Sequence, residues 1–305
     1  MYNCRNFISV ILIAAVAGFM TSCQCENGDS RKAISEVDDD VSVDNSAAKK
    51  LQKVQEIFYT IPSPMEMASL LKKAGTTYDA GMLNDVSNVV KYTSSKRQAL
   101  NLGIYGANLS YASIFNQNQE SIIYLSCAKQ LADKLGVTSA FDNETMDRIE
   151  SNIENRDSLI DIISDSFYTL DAYLKENDRQ NVSALVITGG WIEGLYLATQ
   201  IAKSTDDAPQ EIIQRVIDQK YSLDDLLELV NAYNDGGNLD GIIADLESLQ
   251  ELYEQIDISR EAGDVTTDES TGVTVIGGAA TYSYTADDIA AITARVKEIR
   301  TSYIQ

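Results

Sequence analysis

Apolar residues in this chain recur at spacings of three and four along most of its length, and only three prolines interrupt the pattern. No feature constrains the fold more. In YSLDDLLELVNAY, Leu223, Leu226, Leu227, Val230 and Tyr233 form one stripe. In LDGIIADLESLQELYEQI, Leu239, Ile242, Ile243, Leu246, Leu249, Leu252, Tyr253 and Ile256 form another, and Ile289, Ile292, Val296, Ile299 and Tyr303 a third. Such spacing puts the apolar positions on one side of a 3.6-residue helix, whereas a strand needs alternation. The expectation is an all-α protein, a bundle of stacked antiparallel helix hairpins filling residues 46–305. Helices are expected at 46–60, 64–74, 78–92, 95–116, 118–135, 143–176 with a break, 180–203, 208–219, 222–234, 239–257 and 285–302. Ser222 with Asp225, and Thr285 with Asp288, have the spacing of capping boxes. One stretch departs from this period: TGVTVIGGAATYSYT, 271–285, alternates β-branched and aromatic residues around Gly277-Gly278, which reads as a β-hairpin or an irregular loop.

Two helices carry glycines in their middles, ALNLGIYGANLSYASIF at 99–115 and ALVITGGWIEGLYLATQI at 184–201. A helical glycine costs ~1 kcal/mol against alanine, so these want a packing reason. At an offset of 86, Gly103 meets Gly189, Tyr105 meets Trp191, Leu109 meets Leu195 and Ala112 meets Ala198. The pattern reads as a degenerate duplication, with pseudo-repeats at about 78–135 and 158–220. Both helices are expected at the centre. Glu193 and the glycines mark the second as a buried core helix rather than a membrane span.

The N-terminus reads MYNCRNFISVILIAAVAGFMTSC. Arg5, the apolar run from Phe7 to Met20 and then small residues follow the grammar of a secretion signal, and the run falls short of the ~20 residues a spanning helix needs. Thr21, Ser22 and Cys23 resemble the lipobox of bacterial lipoproteins. That resemblance implies a signal peptide at 1–22, cleavage before Cys23, lipidation of Cys23, and placement in the outer membrane because Gln24 follows. Cys25 is a weaker rival, since Gln24 would precede it. Several acyl chains, at ~0.8 kcal/mol per buried CH₂, would anchor the chain stably. Residues 23–45, rich in acids and poor in large apolar side chains, read as a flexible tether reaching ~25 Å.

Twenty-four basic against 46 acidic residues leave a formal charge of −22, which becomes −23 once residues 1–22, holding only Arg5, are removed. Such an acidic chain repels nucleic acid and anionic headgroups. The chain has no histidine, which excludes Ser-His-Asp and Cys-His catalysis and His-based metal sites. Of four cysteines, Cys127 lies in an apolar helical stretch and reads as core. GGNLDGIIADLE, 236–247, approaches a calcium loop but has Gly236 where the first carboxylate belongs; a helix-to-helix turn with Asn238 capping the next helix is the simpler reading. Asp224-Asp225 and Asp287-Asp288 read as first-turn charges favoured by the helix dipole. No cofactor and no metal are expected.

The candidate site is the centre of the glycine helices. Trp191 is the only tryptophan, Glu193 follows two residues on, and Tyr105, Asn108, Tyr111 and Tyr196 lie on the related turns. A buried carboxylate is costly unless paired, and Arg97 or Arg179 is the expected partner. The centre reads either as a pocket for a small molecule or peptide, or as aromatic core around a satisfied structural Glu193.

The wording of YTIPSPMEMASLLKKAG, ALNLGIYGANLSYAS, YLKENDRQ and GGWIEGLYLATQ, across Tyr59 to Leu197, resembles a group of uncharacterised helical lipoproteins of Bacteroidetes. The resemblance implies an exported helical protein and carries no activity. The expected role is a non-enzymatic, membrane-tethered module that binds a protein or peptide partner in the envelope. A small-ligand pocket near Trp191 and Glu193 is the first alternative, and a His-free hydrolase using paired carboxylates the second.

Overall fold

Pro62 and Pro64 stand at the entry to the first described helix. Pro64 is the first residue of α1 (Pro64–Lys73), where its missing N–H is no loss. Ser63 accepts from the Glu66 N–H at 3.2 Å and Glu66 accepts from the Ser63 N–H at 2.7 Å, a complete capping box. The computed structural model describes residues 61–138, 142–152, 154–204, 210–260, 265–268, 273–276 and 280–305. The signal at 1–22, Cys23, Cys25, the tether at 23–45 and the helix expected at 46–60 lie outside the described residues.

Eight further helices follow among those residues: α2 (Ser95–Ile114), α3 (Asn118–Leu135), α4 (Asn143–Ser151), α5 (Arg156–Glu176), α6 (Gln180–Ser204), α7 (Gln210–Ala232), α8 (Asp240–Tyr253) and α9 (Ala286–Ile304). The all-α reading holds, and Thr285 and Asp288 do form a capping box. Three spans differ. Residues 78–92 are not one helix but two 3₁₀ turns, Ala80–Met82 and Val86–Lys91. The carboxylates of Asp79 and Asp85 accept from the N–H groups of Gly81 and Ser87, both at 2.8 Å, and so compete with helix formation. The two helices expected at 208–219 and 222–234 are one, because Ser222 is buried in the run of α7 instead of capping a start. The last stripe residue of α8, Ile256, lies past the helix end, next to the first strand.

That strand belongs to one of two short antiparallel pairs that stand where a single hairpin was expected. β1 (Asp257–Arg260) pairs antiparallel with β4 (Ala280–Ser283), and β2 (Val265–Asp268) with β3 (Val273–Ile276). β3 and β4, which flank Gly277-Gly278, therefore do not pair with each other. Tyr282 in β4 donates to an Asp218 carboxylate oxygen at 3.0 Å, tying the β1–β4 pair to α7.

Short links make sequential helices antiparallel neighbours. Asn116 (φ 59°) closes α2 and Asp178 (φ 55°) closes α5, the two non-glycine residues with positive φ among the described residues. At each, the following N–H reaches back to the last turn: Gln117 to the Ala112 carbonyl at 2.9 Å, Arg179 to the Leu174 carbonyl at 2.8 Å. These are Schellman closures with Asn and Asp where glycine is commoner.

The most extensive packing is α2 against α6, with α3 laid on α2, α7 on α6, and α9 across α6 and α8. Every residue of α2 from Gln98 to Ile114 is buried. Residues 180–202 are long and apolar enough to cross a membrane, but the most apolar stretch of that helix is 94% buried inside the bundle. Glycine makes the close approach feasible. A Cβ on Gly103 would overlap the Val186 carbonyl and sit 2.6 Å from the Gly190 nitrogen; one on Gly189 would overlap the Leu100 carbonyl and sit 2.8 Å from its carbon. The offset is again 86, from 100 to 186 and from 103 to 189, so the contact is reciprocal: each glycine meets the counterpart of the residue facing the other.

Candidate functional site

Trp191 and Glu193 are two residues apart on α6 and therefore point to different sides, since helix neighbours are three or four apart. The structure divides the expected single site into a buried polar centre around Glu193 and an apolar cleft beside Trp191.

Glu193 is wholly buried. Its partner is Arg300 of α9, not Arg97 or Arg179. The Arg300 Nε donates to Glu193 Oε2 at 2.8 Å and Nη2 to Oε1 at 3.0 Å, a two-pronged pair. Asn108 Nδ2 donates to Oε1 at 2.6 Å, so the carboxylate accepts three bonds. Arg300 Nη2 also donates to the Met82 carbonyl at 3.0 Å, and the guanidinium lies 4.2 Å from the Tyr196 ring centroid. Burial alone would push Arg300 down, but the Glu193 carboxylate beside it outweighs this and holds it above its ordinary value. The polar atoms of the pair are met from α2, α6 and the turn after Ala80.

The network continues outward. Asn108 Oδ1 accepts from the Asn84 N–H at 3.0 Å, and Asn84 Nδ2 donates to the Tyr92 hydroxyl at 3.1 Å. Asn101 Nδ2 donates to the Tyr303 carbonyl at 2.9 Å, and Tyr92 donates to the Ile304 carbonyl at 3.2 Å. These bonds satisfy carbonyls in the last turn of α9, which have no N–H partner within the helix. The C-terminal helix is bolted to the glycine helices through side chains.

The other candidates are core. Tyr105 donates to the Asp85 carbonyl at 2.9 Å and packs between Tyr92 and Tyr124; burial raises its hydroxyl far above the ordinary range. Tyr111 donates to the Thr77 carbonyl at 3.4 Å and stacks on Tyr78 with centroids 5.2 Å apart. Burial also raises Tyr196 and pushes the Cys127 thiol up to about 11. Trp191 Nε1 donates to Gln219 Oε1 on α7 at 3.1 Å.

Trp191 also lines a cleft of about 150 Å³ between the entry to α1 and helices α2, α5 and α6. Gly103, Gly190, Pro64, Met65, Phe167 and Val186 are among its lining residues. Its few polar groups are engaged: Asp171 accepts from Ser183 and pairs with Lys175 at 2.7 Å, and Glu66 belongs to the α1 cap. A cleft of this size accepts one ring-sized apolar group.

The 236–247 turn has its polar groups spent internally. Gly236 and Gly237 both have positive φ, Asn234 rather than Asn238 accepts from the Leu239 N–H at 2.8 Å, and Asn234 Nδ2 donates to Asp240 at 2.7 Å. Among the described residues no group of three or more potential metal ligands converges.

Arg300 and Phe167 were missing from the expected site. Arg300 carried a weak signal: it sits four after Val296 and three before Tyr303, on the apolar stripe of α9. Among the described residues the fold is an all-α bundle with two small two-stranded antiparallel sheets. Compared with known proteins, the chain matches no family model, no curated protein and no solved structure.

Proposed function

We propose that this chain is a non-catalytic helical binding module, held at the outer membrane by a lipid on Cys23, that takes an apolar side chain of a protein or peptide partner into the cleft beside Trp191. The observation that carries this reading is the contrast between the two halves of the centre. The polar half has every carboxylate oxygen of Glu193 committed to Arg300 and Asn108, so that carboxylate is in no position to move a substrate proton. The apolar half keeps open space against a tryptophan. The N-terminal resemblance to lipoproteins supports the tether, and the excess of acid weighs against nucleic acid as partner. A small apolar ligand in the same cleft is the second reading, favoured by a volume that fits one ring.

The test is titration of the mature chain with nitrobenzene, an uncharged single-ring probe, read by quenching of Trp191 fluorescence. Saturable single-site quenching that Ser164→Phe abolishes by filling the cleft is expected. Quenching that never saturates, or that Ser164→Phe leaves intact, removes the cleft as a binding site.

A further inference from the structure

The cleft beside Trp191 carries charge of one sign. Among the described residues that line it, Glu66 and Asp171 are the charged ones, and both are acids. Lys175 of α5 is drawn to Asp171 at 2.7 Å and does not line the cleft. The acid continues past the rim. Ser164 and Tyr168, four residues apart on α5, line the cleft. Asp161 and Asp165 stand three residues before each of them, which on a helix makes a neighbouring row about 5–6 Å away. Both aspartates are exposed, and neither has a cation partner among the described residues. Tyr168 is itself half exposed, so its ring joins the apolar lining to the acidic row. Asp161 and Asp165 are also four apart from each other, a spacing at which like charges on a helix repel. An apolar group filling the cleft leaves that repulsion in place. A cation beside the apolar group removes it.

We propose that the segment received by the cleft is basic: a ring-sized apolar side chain enters beside Trp191, and lysine or arginine next to it in the partner pairs with Asp161 and Asp165. The proposal rests on the reading of the cleft as the binding site and names the chemistry of what it takes. The apolar group is the anchor. The charge pairs lie at the exposed rim, so each adds little affinity; their effect is to choose among apolar segments and to speed encounter. The same acids turn away a second copy of this chain, whose net charge is −22.

The experiment titrates the mature chain, by calorimetry, with two short peptides that share one ring: acetyl-Phe-Lys-Lys-amide and acetyl-Phe-Gln-Gln-amide. At low salt the basic peptide should bind about five- to ten-fold more tightly, as expected for two exposed charge pairs. At about 1 M salt, where screening reaches down to ~3 Å, the two should agree within about two-fold. Asp161→Asn/Asp165→Asn should also bring them within about two-fold, with binding of the neutral peptide unchanged. Glu247→Gln/Glu251→Gln removes two exposed acids from α8, which does not line the cleft, and should leave the preference intact. Equal binding of the two peptides to wild type overturns the proposal and leaves the cleft an apolar site without charge selection. Equal loss of the preference in the α8 variant overturns it too, because the general field of an acidic chain would then be the cause. If nitrobenzene saturates the cleft but neither peptide binds, the site takes small ligands only and the basic partner falls. If nitrobenzene does not saturate either, the cleft itself falls as a binding site.

Discussion

Replacing Arg300 by methionine isolates the most consequential contact in the bundle. The substitution keeps an unbranched apolar side chain of similar reach and deletes the cation. Three hydrogen bonds go with it, two to Glu193 and one to the Met82 carbonyl, along with the contact over Tyr196. What remains is a carboxylate with no exposed surface and only Asn108 for a partner. Breaking one side of a buried pair costs ~3–5 kcal/mol, because the surviving charge is left desolvated. That is a large share of the ~5–15 kcal/mol by which a domain is stable. At ~2–4 °C per kcal/mol for a protein of this size, the melting temperature should fall by roughly 10 °C. Thermal and urea unfolding followed by circular dichroism at 222 nm would measure it. The Glu193→Met/Arg300→Met double variant should recover most of the loss, since matched apolar replacement of a buried pair is often neutral; about 1 kcal/mol should persist for the Asn108 Nδ2 left without its acceptor. A double variant no more stable than Arg300→Met, or a single variant within ~0.5 kcal/mol of wild type as ordinary surface changes are, would refute the assignment of Arg300 as the partner that makes the buried Glu193 tolerable.

The remaining expectations are more local. Gly103→Ala and Gly189→Ala should each destabilise by ~1–3 kcal/mol or more and by similar amounts, because each added methyl meets a carbonyl of the opposite helix; urea midpoints differing several-fold in their displacement would argue against a reciprocal contact. Gly241→Ala, whose methyl would meet nothing nearer than the Lys96 Nζ at 3.7 Å, should instead stabilise α8 by up to ~1 kcal/mol in the same assay. Cys127 should resist alkylation. With its thiol pushed from 9.0 to about 11 by burial, the thiolate fraction at pH 8 falls about a hundred-fold, and iodoacetamide labelling read by mass spectrometry should slow at least as much. Because its folded value lies above the unfolded one, this thiol costs no stability below about 9 and weakens the fold as pH rises through about 11. Labelling of Cys127 at the rate of a free thiol would contradict its place in the core.

Much of the architecture was legible because helices announce themselves locally. The stripes of α7, α8 and α9 could be read from spacing, and the glycines of α2 and α6 told that two helices pass closely. The exceptions have identifiable causes. Asp79 and Asp85 look like ordinary helix residues until their carboxylates are seen taking the N–H groups two residues on. Ser222 has the spacing of a cap but is buried in a helix that runs on through it. β1 was not read because Asp257–Arg260 follows four residues after α8, and Ile256 beside it continues the helical stripe.

The candidate site shows where local reading stops. From sequence, Trp191 and Glu193 looked like one site because they are two residues apart; the helix turns them to different sides, one to a cleft and the other to a buried pair. The sequence by itself determined that Glu193 is buried and must have a cation, since a lone carboxylate in an apolar helix is too costly to keep. Only the tertiary structure decided that the cation is Arg300, 107 residues away, because that choice depends on how α9 crosses α6, and a crossing angle is set by the packing of many side chains rather than by any one of them. Periodicity and desolvation act within a few residues and are written in the chain. A cleft such as the one beside Trp191 is empty space left where α1, α2, α5 and α6 meet, and it exists only once they are assembled.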